Sequence, residues 1–291
     1  MRGQNDASHS VGCGRHPQPR NVWPVRISAG AFGPGSPRRA LLLSADHAVY
    51  VQGVLVPVRY LINGATIVQQ PVRSVSYWHV ELDRHNVILA EGLPCETYLD
   101  TGNRGAFANG GAVVQAHPDF AWRTWETKAC APLLLDGPRL AAIKTAQLAR
   151  ARQLGHTMTD DPDLHMIVDG RPVRPSRDGG TFRFTLPPDG RTGRLTSRRF
   201  VPAHIAPDSD DHRPLGVAVS ALRVDGHAIP LDDPQLTTGW HAPEPNWRWT
   251  GGDAAITLAG ARDVTCEVAL TGKYWRQLPA TGLSRTGLSR A

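Results

Sequence analysis

Short apolar runs separated by turn residues fill most of this chain, and they restrict the folds it can adopt. Between residues 22 and 90, each apolar run is too short for a typical helix. Gln52-Gly53 and Asn63-Gly64 stand between such runs, and pairs of this kind favour tight turns. The chain is also rich in turn formers, with 29 glycines and 24 prolines. This half is therefore predicted to be an all-β domain of about seven short strands.

One segment further along has the pattern of a helix. In residues 139–154, Leu140, Ile143 and Leu148 recur near the helical period, so they would share one face. Gly155 follows directly and is a natural residue for the end of a helix. We expect one helix here, with irregular structure before it.

Beyond this helix the pattern of short strands returns. Residues 181–186 alternate between apolar and polar side chains, as in a half-buried strand. Asp169-Gly170 and Asp225-Gly226 are typical of hairpin turns. Strands at this spacing predict a β-sandwich of about eight strands. The fold class is therefore mainly β: a first β domain, a short helix and a β-sandwich domain.

Composition narrows the functions that this chain can have. The basic residues behind the net charge of +6 are scattered, so we expect no specific nucleic-acid partner. The four cysteines lie far apart without a Cys-x-x-Cys pair, so we predict no zinc site and no other cofactor. No apolar run is long enough to span a membrane, and residues 1–10 are too polar for a signal peptide. The sequence does not distinguish a cytoplasmic protein from one that is exported without a recognisable signal.

Ser44 and His47 are the first candidates for chemistry. The spacing Ser-x-x-His directly after an apolar run places a hydroxyl and an imidazole where both can reach one backbone group. An imidazole is well suited to protonate a leaving amide nitrogen near neutral pH. The serine can orient the same peptide bond by hydrogen bonding. The alternative is an ordinary turn, in which such a pair is common.

Two blocks of sequence resemble a known family. In residues 41–51 an apolar strand leads into Ser44-x-x-His47 and a second apolar strand follows. In residues 77–92 an aromatic strand precedes His85 and an apolar strand ends in glycine. Both blocks are similar to those of the Hint domain family, the autoprocessing modules of Hedgehog proteins and inteins. Further ordered blocks resemble the bacterial branch of that family.

The resemblance implies a chemistry and three catalytic residues. In the family, the first histidine activates the scissile peptide for an N-to-S acyl shift, and the neighbouring hydroxyl supports it. Carried over to this sequence, His47 would be the proton donor, Ser44 its helper, and His85 would assist later acyl-transfer steps. The substrate would be the protein's own polypeptide. The alternative for His85 is a turn histidine at a strand end, and we expect His79 to be an ordinary strand residue.

This sequence departs from the family pattern at the nucleophile. The family opens with Cys or Ser in a Cys-(Phe/Leu)-x-x-Gly-Thr context, which this sequence lacks. Cys13 has no such context, and Cys95 stands where inteins have His-Asn. Because a thioester requires a positioned thiolate, we expect an N-terminally truncated, partial Hint module that neither cleaves nor splices itself. Strand edges left open by the missing half would be covered by residues 112–136 or by another copy.

A second candidate surface lies in the predicted β-sandwich and consists of Trp240, His241, Glu244, Trp247 and Arg248. Aromatic rings can stack on sugars while charged groups bind hydroxyls. Binding of a glycan or of another protein is therefore the alternative function. The competing explanation, which we favour, is a structural corner in which tryptophan side chains fill the sandwich.

These observations predict the organisation of the whole chain. In chain order we expect a flexible arm, a partial Hint-like domain, a connector with one helix, a β-sandwich and a disordered tail, at residues 1–20, 21–111, 112–155, 156–278 and 279–291. The leading hypothesis is a protein related to self-cleaving and splicing modules that is inactive as this chain.

Overall fold

The computed structural model describes residues 5–11, 13, 17–101 and 118–276. The chain divides into two compact units. The first comprises residues up to Leu154 together with residues 206–208, and the second comprises the rest. The predicted tail, residues 102–111 of the predicted first domain and parts of the predicted arm lie outside the described residues. Within the described part of the chain, no helix is both long and apolar enough to cross a membrane.

The first unit is mainly β, as predicted. Its strands are β1 (Asn5–Val11), β2 (Val25–Ile27), β3 (Leu41–Leu43), β4 (Ala48–Val51), β5 (Val54–Pro57), β6 (Ile67–Gln69), β7 (Val75–Glu81), β8 (Val87–Ala90) and β9 (Leu93–Glu96). They form three antiparallel sheets, with the orders β1-β7, β3-β2-β6 and β5-β4-β9-β8. Helices α1 (Pro118–Lys128) and α2 (Gly137–Gln153) follow.

Two tight turns set the register of the four-stranded sheet. Gln52-Gly53 joins β4 to β5 with φ angles of 51° and 82°, which confirms the turn predicted there. Glu91-Gly92 joins β8 to β9 with φ angles of 52° and 85°, and this hairpin was not recognised from the sequence. A Cβ on Gly92 would lie 2.6 Å from the carbonyl oxygen of Gly35, so only glycine fits. The second hairpin places β9 beside β4.

Helix α2 packs on the core of the first unit through the face that the sequence predicted. Leu140 is 7% exposed and Ile143 is 1% exposed, and both join the apolar cluster formed by the strands. Val25, Val56 and Leu93 belong to the same cluster. The helix is therefore part of the first unit rather than a free connector.

The connector also contains a helix that the sequence did not reveal. The prediction of a single helix is wrong, because α1 precedes α2. The sequence of α1 is largely polar, and its few apolar residues did not predict a helix. Burial of Thr124, which is 4% exposed, shows that tertiary packing contributes to this helix.

The segment after α1 covers the edge of β5. The Leu55 N–H donates to the Pro132 carbonyl at 2.9 Å, and the Leu134 N–H donates to the Leu55 carbonyl at 2.8 Å. Leu133 thereby forms a parallel bridge with Leu55. This is the first of the two expected ways to cover an open edge, because residues of the same chain pair with the strand.

Part of the predicted flexible arm is a strand. β1 pairs with β7 along its whole length, from Asn5 opposite Glu81 to Val11 opposite Val75. The polar sequence of β1 carries no apolar alternation, so the backbone pairing was not visible in the residue pattern.

The second unit is a β-sandwich, as predicted. Its elements are β10 (Met158–Thr159), β11 (His165–Val168), β12 (Arg171–Val173), β13 (Ser176–Asp178), β14 (Thr181–Thr185), β15 (Thr192–Thr196), α3 (Pro202–Ile205), β16 (Ala218–Val224), β17 (His227–Ile229), β18 (Trp240–Pro243), β19 (Arg248–Thr250), β20 (Asp253–Thr257), β21 (Asp263–Leu270) and β22 (Tyr274–Trp275). The described strands outnumber the eight or so expected, because several have only two or three residues and show no alternation.

Two larger sheets make up this unit. One has the order β12-β11-β15-β20, and the other has the order β13-β14-β21-β16-β19-β18, with β17 paired to β16. Phe182 and Phe184 alternate into the core between them. The turns at Asp169-Gly170 and Asp225-Gly226 join strands as predicted.

We predict that Asn63→Ala destabilises the first unit by about 2 kcal/mol or more, because several buried backbone N–H groups would lose their acceptor. The Asn63 Oδ1 accepts hydrogen bonds from the backbone N–H groups of residues 65, 66 and 67, at 3.0, 2.9 and 3.0 Å. Urea denaturation measures the loss. Asn21→Ala is the control, since Asn21 is exposed and its side chain donates one bond to Gln18. Equal losses in the two variants would contradict the prediction.

Candidate functional site

A cavity of about 450 Å³ lies in the first unit. Its lining comes from the turn before β4, from β7, from β9 and the residues after it, and from α1. The side chains with functional groups that line it include Ser44, His47, His79, Tyr98 and Trp125. Two of the three residues predicted to be catalytic, Ser44 and His47, therefore share one cavity.

The turn between β3 and β4 brings Ser44 and His47 together. The His47 N–H donates to the Ser44 carbonyl at 3.1 Å, which closes the turn. The His47 carbonyl accepts from the Val58 N–H at 3.0 Å, and the Ala45 carbonyl accepts from the Arg59 N–H at 2.9 Å. The Ser-x-x-His spacing is thus held by backbone hydrogen bonds at the wall of the cavity.

His47 is uncharged at neutral pH. Burial, and next the charge of His79, lower the pKa of His47 from 6.5 to about 3, although a hydrogen bond with the Glu96 backbone acts in the opposite direction. A neutral imidazole offers one basic nitrogen and one N–H. At neutral pH His47 therefore carries one ring proton. If it acts as a proton donor, that N–H supplies the proton.

His79, expected to be an ordinary strand residue, lines the cavity. Its ring centroid lies 5.4 Å from that of His47 and 6.0 Å from that of Tyr98. The signal was the two-residue period of β7: Tyr77 and His79 line the cavity, whereas Trp78 between them is 70% exposed. This alternation could have been read from the sequence, and it would have placed His79 on the same face as Tyr77.

Glu96 is a residue of the cavity that the sequence did not indicate. It lines the cavity and is 8% exposed. The Oε1 atom accepts a hydrogen bond from the Ala48 N–H at 2.7 Å, next to His47. The Oε2 atom lies 3.5 Å from Nε2 of His85. Glu96 thus bridges the segments that carry the two predicted catalytic histidines, through a contact that no short motif indicates.

His85 lies behind Glu96 and is not among the residues that line the cavity. Its side chain is 1% exposed. Its Nδ1 atom accepts a hydrogen bond from the Cys130 N–H at 3.1 Å, and the Trp125 ring packs perpendicular to it at 5.7 Å. Asn86 and Thr97 hold the two strands together beside this pair, with bonds of 2.8 and 2.9 Å.

All four cysteines are free thiols, and none is among the described residues that line the cavity. Cys13 is fully buried, and its Sγ lies 3.9 Å from the Val22 carbonyl, which also accepts from the Tyr77 hydroxyl at 2.8 Å. Because Val22 and Tyr77 line the cavity, this thiol lies behind its wall. Burial raises the pKa of Cys95 to about 12.

Metal binding is not indicated at this site. Within the part of the chain that the structure describes, no group of three or more histidine, cysteine, aspartate or glutamate side chains could hold a metal ion.

The structure does not bring the five predicted ligand-binding residues of the second unit into one open face. Trp240 is buried and donates from Nε1 to the Ala255 carbonyl at 2.8 Å. Arg248 is 9% exposed, packs on the Trp240 ring and donates to two backbone carbonyls. Trp247 donates to Glu244 at 2.8 Å, and His241 contacts the Pro214 carbonyl at 3.0 Å.

His47 should make the stability of the first unit depend on pH. In the unfolded chain His47 binds a proton below about 6.5, whereas the folded protein does not bind it until about 3. The contribution of His47 to the unfolding free energy is therefore highest above pH 6.5 and falls as the pH drops towards 3. We predict that His47→Gln flattens this part of the curve, as measured by urea denaturation at pH 7 and pH 4.5. Parallel curves for the two proteins would contradict the assigned pKa.

Comparison with known proteins identifies the part of the chain that carries the cavity. The family model described as the Hint domain matches residues 5–102, which include Ser44, His47, His85 and Glu96. No curated protein and no solved structure matches the chain. Residues 5–102 of this chain are therefore similar to the Hint domain, the family that its strand and histidine blocks resemble.

Proposed function

We propose that the Hint domain is an autoprocessing-type module that acts on a peptide bond of its own polypeptide, and that this chain does not complete self-cleavage or splicing. The observation that carries the first part is the shared cavity: Ser44 and a neutral His47 line it together. A hydroxyl and an imidazole at one wall can hold a peptide carbonyl and exchange a proton with its nitrogen.

An acyl shift requires a nucleophile, a group that orients the peptide bond and a proton donor. A thiolate attacks the carbonyl carbon, the C–N bond breaks, and the leaving nitrogen takes up a proton. In our proposal His47 transfers that proton to the nitrogen, and Ser44 orients the peptide bond. His85 acts later or indirectly, since it lies behind Glu96. His79, with its ring 5.4 Å from that of His47, is a further member of the site.

The second part of the proposal rests on the thiols. A shift requires a thiolate beside the carbonyl, and none of the described residues lining the cavity is a cysteine. Cys95 is buried with a pKa of about 12, so its thiolate is scarce at neutral pH. Cys13 lies behind the wall formed by Val22 and Tyr77.

We predict that the purified protein keeps its full mass during incubation with dithiothreitol or hydroxylamine at neutral pH. Both reagents cleave a thioester once it forms, so a chain that makes none yields no fragment. Intact-mass spectrometry over a time course measures the result.

Two variants identify the source of any fragment. A product that disappears in both Cys13→Ala and His47→Gln would overturn the claim of inactivity. It would show that cleavage requires both the buried Cys13 thiol and the cavity residue His47. A product that persists in both variants arises from hydrolysis elsewhere and leaves the proposal unchanged. Cys266→Ala is the matched control, since Cys266 is a buried thiol of the second unit.

The second candidate function is binding of a glycan or of another protein by the β-sandwich. Its support is confined to Trp247, Glu244 and His241, which are partly exposed and offer an aromatic face and polar groups. The burial of Trp240 and Arg248 removes two of the five expected contacts.

We predict that a glycan array probed with the whole protein gives no signal that depends on Trp247. The reason is that the indole N–H already binds Glu244 at 2.8 Å. Trp247→Ala is compared with the unchanged protein on the same array. A glycan that binds the protein and is lost in Trp247→Ala would establish this second function.

A further inference from the structure

His85 is held on both of its ring nitrogens by different segments of the first unit. The Cys130 N–H donates to Nδ1 at 3.1 Å. On the other side of the ring, Nε2 lies 3.5 Å from Oε2 of Glu96. Both of these atoms are buried, and neither has a hydrogen-bond partner among the residues that the structure describes. The ring is therefore confined between a backbone donor and a carboxylate.

This arrangement selects one tautomer of the neutral ring. A backbone N–H can only donate, so Nδ1 must present its lone pair to Cys130. The proton of a neutral His85 is then on Nε2, the nitrogen that lies 3.5 Å from Oε2 of Glu96. Neither ring nitrogen is available to a substrate in the cavity.

Glu96 carries this contact on to the cavity wall. Its second oxygen, Oε1, accepts from the Ala48 N–H at 2.7 Å. Ala48 follows His47 directly in the chain. A fixed Glu96 therefore holds the segment that carries His47 through the Ala48 amide.

Two of the residues that contact His85, Trp125 and Cys130, lie beyond the Hint domain match, which ends at residue 102. Trp125 belongs to α1 and packs edge-on against the His85 ring. Cys130 follows α1, and the chain then pairs with β5 through Leu133. The flanking segment is thus anchored to the domain on both sides of the His85 contact.

We infer that His85 is a positioning residue, and that the segment of residues 125–134 completes the Hint domain site by holding His85, which holds Glu96 and through it the His47 turn. This inference assigns His85 an indirect role within the proposed function, and it rests on that function only for the importance of His47. The contacts pass from Cys130 to His85, from His85 to Glu96, and from Glu96 to Ala48.

The first test is spectroscopic and uses the unchanged protein. In histidine-labelled protein, long-range proton–nitrogen correlations at neutral pH show which nitrogen of each ring carries the proton. We expect His85 to be protonated on Nε2, with Nδ1 as a hydrogen-bond acceptor. Protonation of His85 on Nδ1 would overturn the inference, whatever the outcome of the cleavage experiment.

The second test follows the far end of the same contacts, the Ala48 amide. Its exchange with solvent should be slow, because it binds a buried carboxylate. Cys130→Pro removes the backbone donor, and His85→Leu removes the ring nitrogens. In each variant we expect Ala48 to exchange about tenfold faster or more, since Glu96 loses its support. Amides of the β16–β21 pair in the second unit are the internal reference.

Cys130→Ala is the matched control, since it removes the thiol and keeps the N–H. It should leave both the His85 tautomer and the Ala48 exchange rate unchanged. Unchanged Ala48 exchange in both Cys130→Pro and His85→Leu would show that the contacts are not coupled and would overturn the inference. Self-cleavage can be absent while all of these results hold, so the two proposals fail separately.

Discussion

A buried carboxylate, that of Glu96, connects the parts of the candidate site. Taking a carboxylate out of water is costly unless donors surround it, and here the donors come from distant segments. The Ala48 amide binds one oxygen and the His85 ring faces the other. Removal of either partner would leave a buried oxygen of Glu96 without its neighbouring donor, so the segments that carry these groups are energetically linked. The position of the His47 turn depends on this link.

The position of Glu96 depends in turn on the register of β9. Cys95 lies opposite Val49 of β4 and joins the apolar core, whereas Glu96 faces the cavity. A slip of one residue would exchange these two side chains, and would bury a carboxylate among valines and leucines. The tight Glu91-Gly92 turn prevents the slip by fixing the hairpin of β8 and β9. A glycine 4 residues before Glu96 thereby contributes to the chemistry of the cavity.

Burial favours a neutral His47 in the cavity and disfavours a thiolate at Cys95 in the adjoining core. It lowers the pKa of His47 and raises that of Cys95. Such surroundings keep His47 unprotonated at neutral pH, and they do not by themselves activate a sulfur nucleophile. The proposed inactivity of this chain and the proposed role of His47 thus share one physical cause, the low polarity of the surroundings.

The sequence by itself determined the β class of both units, the face of α2, three of the hairpin turns and the two blocks that resemble the Hint domain family. These features follow from local rules, because residue period and turn geometry act over a few neighbours. It also placed Ser44 and His47 in one turn. Only the tertiary structure decided that His79 and Glu96 belong to the site, that His85 lies behind it, and that α1 forms. Each of these depends on contacts between residues far apart along the chain. Such contacts decide whether a polar group or an aromatic ring is buried, and no local sequence pattern shows them.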